Sequence, residues 1–169
     1  MDLTSIPIYA IFMVGGNKIM RVYIDTSVIN GLYAQDSRIV EITQYFFQSA
    51  KFGKFTIYSS NLLADEIRKT SNIGLRQQLM NTVEEYQIET LPVSEEVEQL
   101  AHIYVKEKII PLRYIADALH IAVATIHNIP VLVSWNFKHI VKHKTRIEAN
   151  RVNKNAGYPQ IDLCSPEEV

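Results

Sequence analysis

The feature that most constrains this chain is its alternation of short, apolar, β-rich runs with longer stretches of helical spacing. Residues 20–24, 55–58, 88–91, 130–134 and 161–164 read as strands, and residues 37–51, 59–69, 75–86 and 113–127 read as helices. Further helices are expected to start at Ser94, where Glu95 and Glu96 suit a first turn, and near Phe137. Strands separated by helices need crossover connections. The expected fold is therefore α/β, a single domain with a mainly parallel sheet flanked by helices on both faces.

Composition agrees with one compact domain. Of 169 residues, 47% are hydrophobic and 21% charged, with six Gly and six Pro, too apolar and too evenly charged for a disordered chain. A chain of this length buries roughly 70% of its unfolded surface and needs no disulfide or structural metal. Cys164 is the only cysteine, which excludes a disulfide framework within the chain and a multi-Cys zinc site, and fits a reducing cytoplasm. It reads as a small buried residue in the last strand. With 17 Lys and Arg against 18 Asp and Glu, the net charge of -1 excludes a histone-like polycation. The charge is uneven: residues 84–98 hold six acids and no base, and residues 138–154 hold six bases against Glu148 alone. A polyanion would approach the second stretch.

Residues 1–19 read as an N-terminal extension to a domain at 20–169. The nine-residue apolar run at 6–14 is too short for a membrane span, which takes about 20 residues. No Lys or Arg precedes it and no small-residue cleavage site follows, so it is a poor secretory signal. Met20 is an alternative start, because codons for Gly15 and Gly16 can hold a purine-rich ribosome-binding sequence and the first strand follows at once.

In an open parallel sheet the functional crevice lies at the carboxyl ends of the strands. Asp25 ends the first strand in YIDTSV, and Asn136 stands two residues beyond VLVS. Asp117 comes early in the apolar helix YIADALHIAVA, where an unpaired carboxylate is costly to bury. Glu66 lies in LLADEIRK on the helix after the second strand. Each has a plainer reading. Asp25, with Thr26 and Ser27, suits a helix cap; Asp117 suits an N-cap; Glu66, like Asp65, suits a solvated face, paired with Lys69. His120 follows Asp117 on the same helical side and suits either a bond to a site carboxylate or, as the favoured reading, a satisfied core histidine. The remaining histidines have no zinc spacing, and the sequence has neither the second Asp of an aspartyl phosphatase motif nor a Gly-rich phosphate loop.

The order YIDTSV, LLADEI, YIADALHIAVA, VLVSWNFKHI resembles the PIN domain, a metal-dependent ribonuclease fold of VapC-like toxins in VapBC toxin-antitoxin pairs and of other RNA-processing proteins. The resemblance spans residues 20–169, and the 19 residues from Asp117 to Asn136 match the spacing of its third and fourth motifs. It implies that Asp25, Glu66 and Asp117 are the family's three acids. Glu66 is chosen over Asp65 because it directly precedes an aliphatic residue, Ile67. At the fourth position, where many members carry an acid, this chain has Asn136, one negative charge fewer.

Three converging carboxylates are hard ligands suited to Mg²⁺ or Mn²⁺. The resemblance thus implies an endoribonuclease in which Asp25 and Asp117 ligate the metal directly. Glu66 then ligates through water or accepts a proton, and Asn136 completes the site. Thr26, Ser27 and Ser134 would orient these groups, and Lys138, His139, Lys142, Lys144 and Arg146 would hold the RNA backbone. The basic run also suits a solvated helix face. Trp135 and Phe137 read as core sooner than as base-stacking groups. The implied partners are RNA, a small antitoxin protein and a second copy in a homodimer, with no membrane. The competing reading is a non-catalytic RNA-binding or protein-interaction module on the same fold.

Overall fold

The computed structural model describes residues 19–169, so the apolar run at 6–14 and the start-site reading fall outside the described residues. Five strands, β1 (Met20–Ile24), β2 (Phe55–Ser60), β3 (Glu89–Leu91), β4 (Val131–Val133) and β5 (Asp162–Cys164), form an all-parallel sheet in the order β3-β2-β1-β4-β5. Seven helices alternate with them: α1 (Thr26–Gly31), α2 (Ser37–Lys51), α3 (Asn61–Arg68), α4 (Ile73–Glu85), α5 (Glu95–Lys106), α6 (Ile115–Ile126) and α7 (His143–Asn155). The α/β architecture expected from the alternation is the one observed. Among the described residues no helix is long and apolar enough to cross a membrane.

The central strands are buried over Val22–Ile24 and Val131–Val133 because both faces of the sheet are covered there, whereas the edge strand Glu89–Leu91 is largely exposed. Successive side chains point to opposite faces. Val22 and Ile24 of β1, with Val131 and Val133 of β4, join a core with Val28, Phe46, Phe47, Ile67 and Leu79 from α1 to α4. Tyr23 and Leu132 face the other way, into a core with Leu100, Tyr104, Ile121 and Val152 from α5 to α7. Cys164 is buried in β5, as expected of a small apolar residue.

A polar knot pins the second core. The Tyr104 hydroxyl donates to Asn153 Oδ1 and lies 3.4 Å from Thr125 Oγ1, tying α5, α6 and α7 together without exposure to water. Tyr104→Phe leaves the Asn153 carbonyl short of a partner and is expected to lower stability by about 1 kcal/mol, read as a shifted urea midpoint.

One local expectation, the cap at Asp25, is met, and one needs correction. Residues 26–31 form a short helix that the apolar pattern does not announce, capped by Asp25, whose Oδ1 accepts from Ser27 N at 3.1 Å. The last long helix starts at His143, not near Phe137. After β4 the chain turns instead: Asn136 O accepts from the amides of Ile140 and Val141, and Asn136 Oδ1 accepts from His139 N.

Strand order reverses where β1 lies between β2 and β4, both reached by crossovers. The crevice at that reversal opens between the carboxyl ends of β1 and β4, where Asp25 and Ser134 stand.

Candidate functional site

Asp25 leaves β1 with only 5% of its surface exposed, in the cleft between the first and fourth strands. Its carboxylate is held on both sides. Ser27 Oγ donates to Oδ1 at 2.5 Å, and the buried Ser134 donates its hydroxyl to Oδ2 at 2.7 Å. Ser134 Oγ in turn accepts from Asn136 N at 2.9 Å, and Ser27 Oγ accepts from Trp135 N at 2.8 Å. The sequence motif DTS at one strand end is thereby stitched to SWN at the other.

Glu66 is half-buried on α3 and accepts at Oε2 from the Thr26 hydroxyl. Asp65 points outward and pairs with Arg68, so the structure separates two acids that composition cannot distinguish. Asp117 sits in the first turn of α6 and does not cap that helix, whose N-cap is Tyr114. An acid in a first turn is favoured by the helix dipole.

Burial and mutual repulsion raise two of these acids. Burial, with the Glu66 charge a smaller contribution, pushes Asp25 up against the pull of His120, Ser27 and Ser134. Burial and then the Asp25 charge bring Asp117 to about 6, although His120 and the Asn136 side chain oppose them. Glu66 is pushed up by burial too, but His120 and Thr26 outweigh it and leave the carboxyl below its ordinary value. The acids therefore sense one another. Among the described residues, however, no three His, Cys, Asp or Glu side chains stand together as a ready-made metal cage.

Beneath the acids lies a relay in which both sequence readings of His120, the core histidine and the partner of a site carboxylate, meet. His120 is 2% exposed; its Nδ1 is 2.8 Å from the Tyr23 hydroxyl, which is 2.8 Å from Ser60 Oγ. Its Nε2 stands 3.6 Å from Glu66 Oε1 with no nearer partner. Burial lowers His120, but Glu66, Asp25 and Asp117 together outweigh it and raise the imidazole. His120 thus belongs to the acid cluster as well as to the core. The i, i+3 spacing from Asp117 was the available signal.

The basic stretch divides. Arg146 reaches both carboxylate oxygens of Glu168 at 3.1 Å, and Lys144 lies 3.8 Å from Glu148. Lys138 and Lys142 are exposed and, among the described residues, in no ion pair, and His139 is half-buried. Trp135 is partly buried and donates from Nε1 to Thr43 Oγ1 at 3.0 Å, whereas Phe137 is 54% exposed. Gly31 makes room for this anchor, since a Cβ there would lie 2.6 Å from Thr43 Oγ1 and 2.8 Å from Trp135 Nε1. Gly31→Ala is expected to cost about 1 kcal/mol through overpacking and to alter the fluorescence of Trp135, the only tryptophan.

The PIN domain family model matches residues 22–139, which hold all four motif residues. The chain belongs to the PIN domain family. Among solved structures it is similar to a chain of VapBC2 from Rickettsia felis bound to a DNA fragment from their promoter. That match has 14% identity and a TM-score of 0.53, covering 86% of this chain and 98% of the other. A toxin-antitoxin complex from Klebsiella pneumoniae is similar at 14% identity and a TM-score of 0.53, covering 73% of this chain and 93% of that one. At such identities the likeness concerns the fold. No curated protein sequence matches the chain.

Proposed function

We propose that this PIN domain is a Mg²⁺- or Mn²⁺-dependent endoribonuclease, the cytoplasmic toxin of a VapBC-type pair, silenced by a small antitoxin and assembled as a homodimer. The observation that carries the catalytic reading is the buried Asp25 carboxylate, fixed by two serine hydroxyls beside two further acids whose charges repel it. The VapBC likeness in fold supports the toxin reading and the antitoxin partner.

The donor set fits a hard divalent cation. It offers carboxylate oxygens of Asp25, Glu66 and Asp117 with the Asn136 amide beside them and no thiol. Asp25 and Asp117 would hold the ion. When bound, it supplies charge neutralisation and Lewis acidity to the scissile phosphate.

The chain's own groups do the rest. Ser27 and Ser134 keep Asp25 from turning away. Thr26 and His120 hold Glu66 ionised near neutral pH, so that it can take the proton of the attacking water as the new P–O bond forms and the old one breaks. Asn136 stabilises the Asp117 carboxylate without adding a charge.

Metal binding itself is the direct test. Mn²⁺ at 100 times its dissociation constant is expected to stabilise the protein by about 2.7 kcal/mol, a Tm rise of roughly 5–10 °C for a domain of this size. Asp25→Asn and Asp117→Asn should lose most of that rise. A wild-type Tm indifferent to Mn²⁺ would favour the non-catalytic module instead.

A further inference from the structure

Next to the acids, two chain segments build a second constellation that the nuclease chemistry does not use. Arg113 and Tyr114 belong to the 3-10 turn that feeds α6, one turn ahead of Asp117. Lys138 and His139 follow Asn136, whose Oδ1 accepts from His139 N at 3.0 Å and whose side chain stabilises Asp117. The two segments meet on Tyr114. The His139 ring stacks on it with centroids 4.0 Å apart and planes at 33°. The Arg113 guanidinium lies 4.8 Å from the ring centroid and the Lys138 ammonium 5.6 Å from it.

An aromatic face and a carboxylate hold a cation differently. A carboxylate positions the cation and cancels its charge; an aromatic ring positions it and leaves the charge in place. Among the described residues neither Arg113 nor Lys138 is in an ion pair, so two oriented positive charges remain uncompensated. His139 registers their convergence: burial first, then Lys138, Lys142 and Arg113, lower its affinity for a proton. Its Nε2 is shielded from water and has no hydrogen-bond partner. The ring therefore serves in the packing, stacked on Tyr114 and fixing the face on which the two cations rest.

We propose that Arg113 and Lys138, gathered on Tyr114 with His139 stacked against it, form a binding site for a backbone phosphate of the RNA strand next to the cleaved bond. The proposal rests on the nuclease reading and adds to it the groups that hold the substrate. Arg113 can offer two N–H donors to one phosphate and Lys138 a point charge. Arg113 was absent from the basic run read in the sequence because it lies 25 positions before Lys138. Arg146 and Lys144, which that run included, are already matched to Glu168 and Glu148.

The test separates this site from the nuclease reading. Binding of a short single-stranded RNA to the full chain is followed in EDTA, where no cleavage interferes, as a function of salt. Each lost phosphate contact should flatten the log–log salt dependence by about 0.7. The Arg113→Gln, Lys138→Gln double variant, which no longer neutralises that one phosphate, should therefore lose about 0.7 from the slope. Under cleavage conditions its KM should rise about tenfold, with kcat little changed, and Arg113→Lys should recover most of the slope. Lys106→Gln on α5 serves as the control for a remote lost charge. An unchanged slope and KM in the double variant, with wild-type protein cleaving RNA, would overturn the phosphate site and leave the nuclease standing. Inorganic phosphate raising the Tm of wild type but not of the double variant, with RNA binding identical in both, would assign the cluster to free phosphate and reject the RNA role. Wild-type protein that neither binds nor cleaves RNA would remove both readings together.

Discussion

Purified protein incubated with total RNA is expected to cleave it in Mn²⁺ and not in EDTA, and Asp117→Asn is expected to abolish that cleavage while the protein stays folded. Charge neutralisation at a scissile phosphate contributes several kcal/mol, so its loss means a fall of more than about a hundredfold in rate. Asp117 is the cleaner of the two probes. Its half-buried carboxyl is replaced by an amide of the same shape, and no serine hydroxyl depends on it. Asp25→Asn should be as inactive but structurally less neutral. It places an NH₂ group against either Ser27 or Ser134, both of which donate to the carboxylate in the native site. Full activity in both variants would remove the acids from the chemistry. Loss in both, with retained RNA binding, would separate catalysis from recognition.

Much of this site was legible in the sequence because topology does the positioning. A residue that ends a central strand of a parallel sheet has little choice about where it stands, so Asp25 and Asn136 could be placed at one end from their strands alone. Asp117 announced itself as a charge among apolar neighbours. Glu66 was a different matter: composition left it level with Asp65, and its selection rested on family resemblance. The structure then turns Glu66 toward Thr26 and Asp65 toward Arg68.

What stayed hidden depends on long-range partners. His120 reads as a core histidine until Tyr23 and Ser60, 97 and 60 positions away in the chain, supply one side of its ring and Glu66 faces the other. The helix expected near Phe137 is displaced to His143 because Asn136 spends both its backbone and side-chain oxygens on a turn, which hydrophobic periodicity does not register. Likewise, two of the five residues of the basic run, Lys144 and Arg146, are matched to acids, one of them Glu168 in the last turn of the chain, and only the fold brings that turn back to α7.

The same carboxylate that serves the chemistry should weaken the metal-free fold, and this gives the second large effect. Asp117 is raised from an ordinary 3.8 to about 6, chiefly by burial and by Asp25. A shift of that size corresponds to about 3 kcal/mol, and solvent screening at this half-buried position reduces it to about 2 kcal/mol. Between pH 3.8 and 6 the folded state binds the proton more tightly than the unfolded chain, so stability falls as pH rises through this window and the penalty is complete above it. In EDTA at pH 7.5, Asp117→Asn is therefore expected to melt about 5 °C above wild type. The gap should close as pH is lowered from 6 toward 4, where the wild-type carboxyl is protonated in the fold. Mn²⁺ should reverse the order at pH 7.5, because only the wild type retains the full set of acids to bind it. Equal melting of the two proteins at every pH would mean that Asp117 carries no strain, and that the repulsion among the three acids is relieved within the fold before any cation arrives.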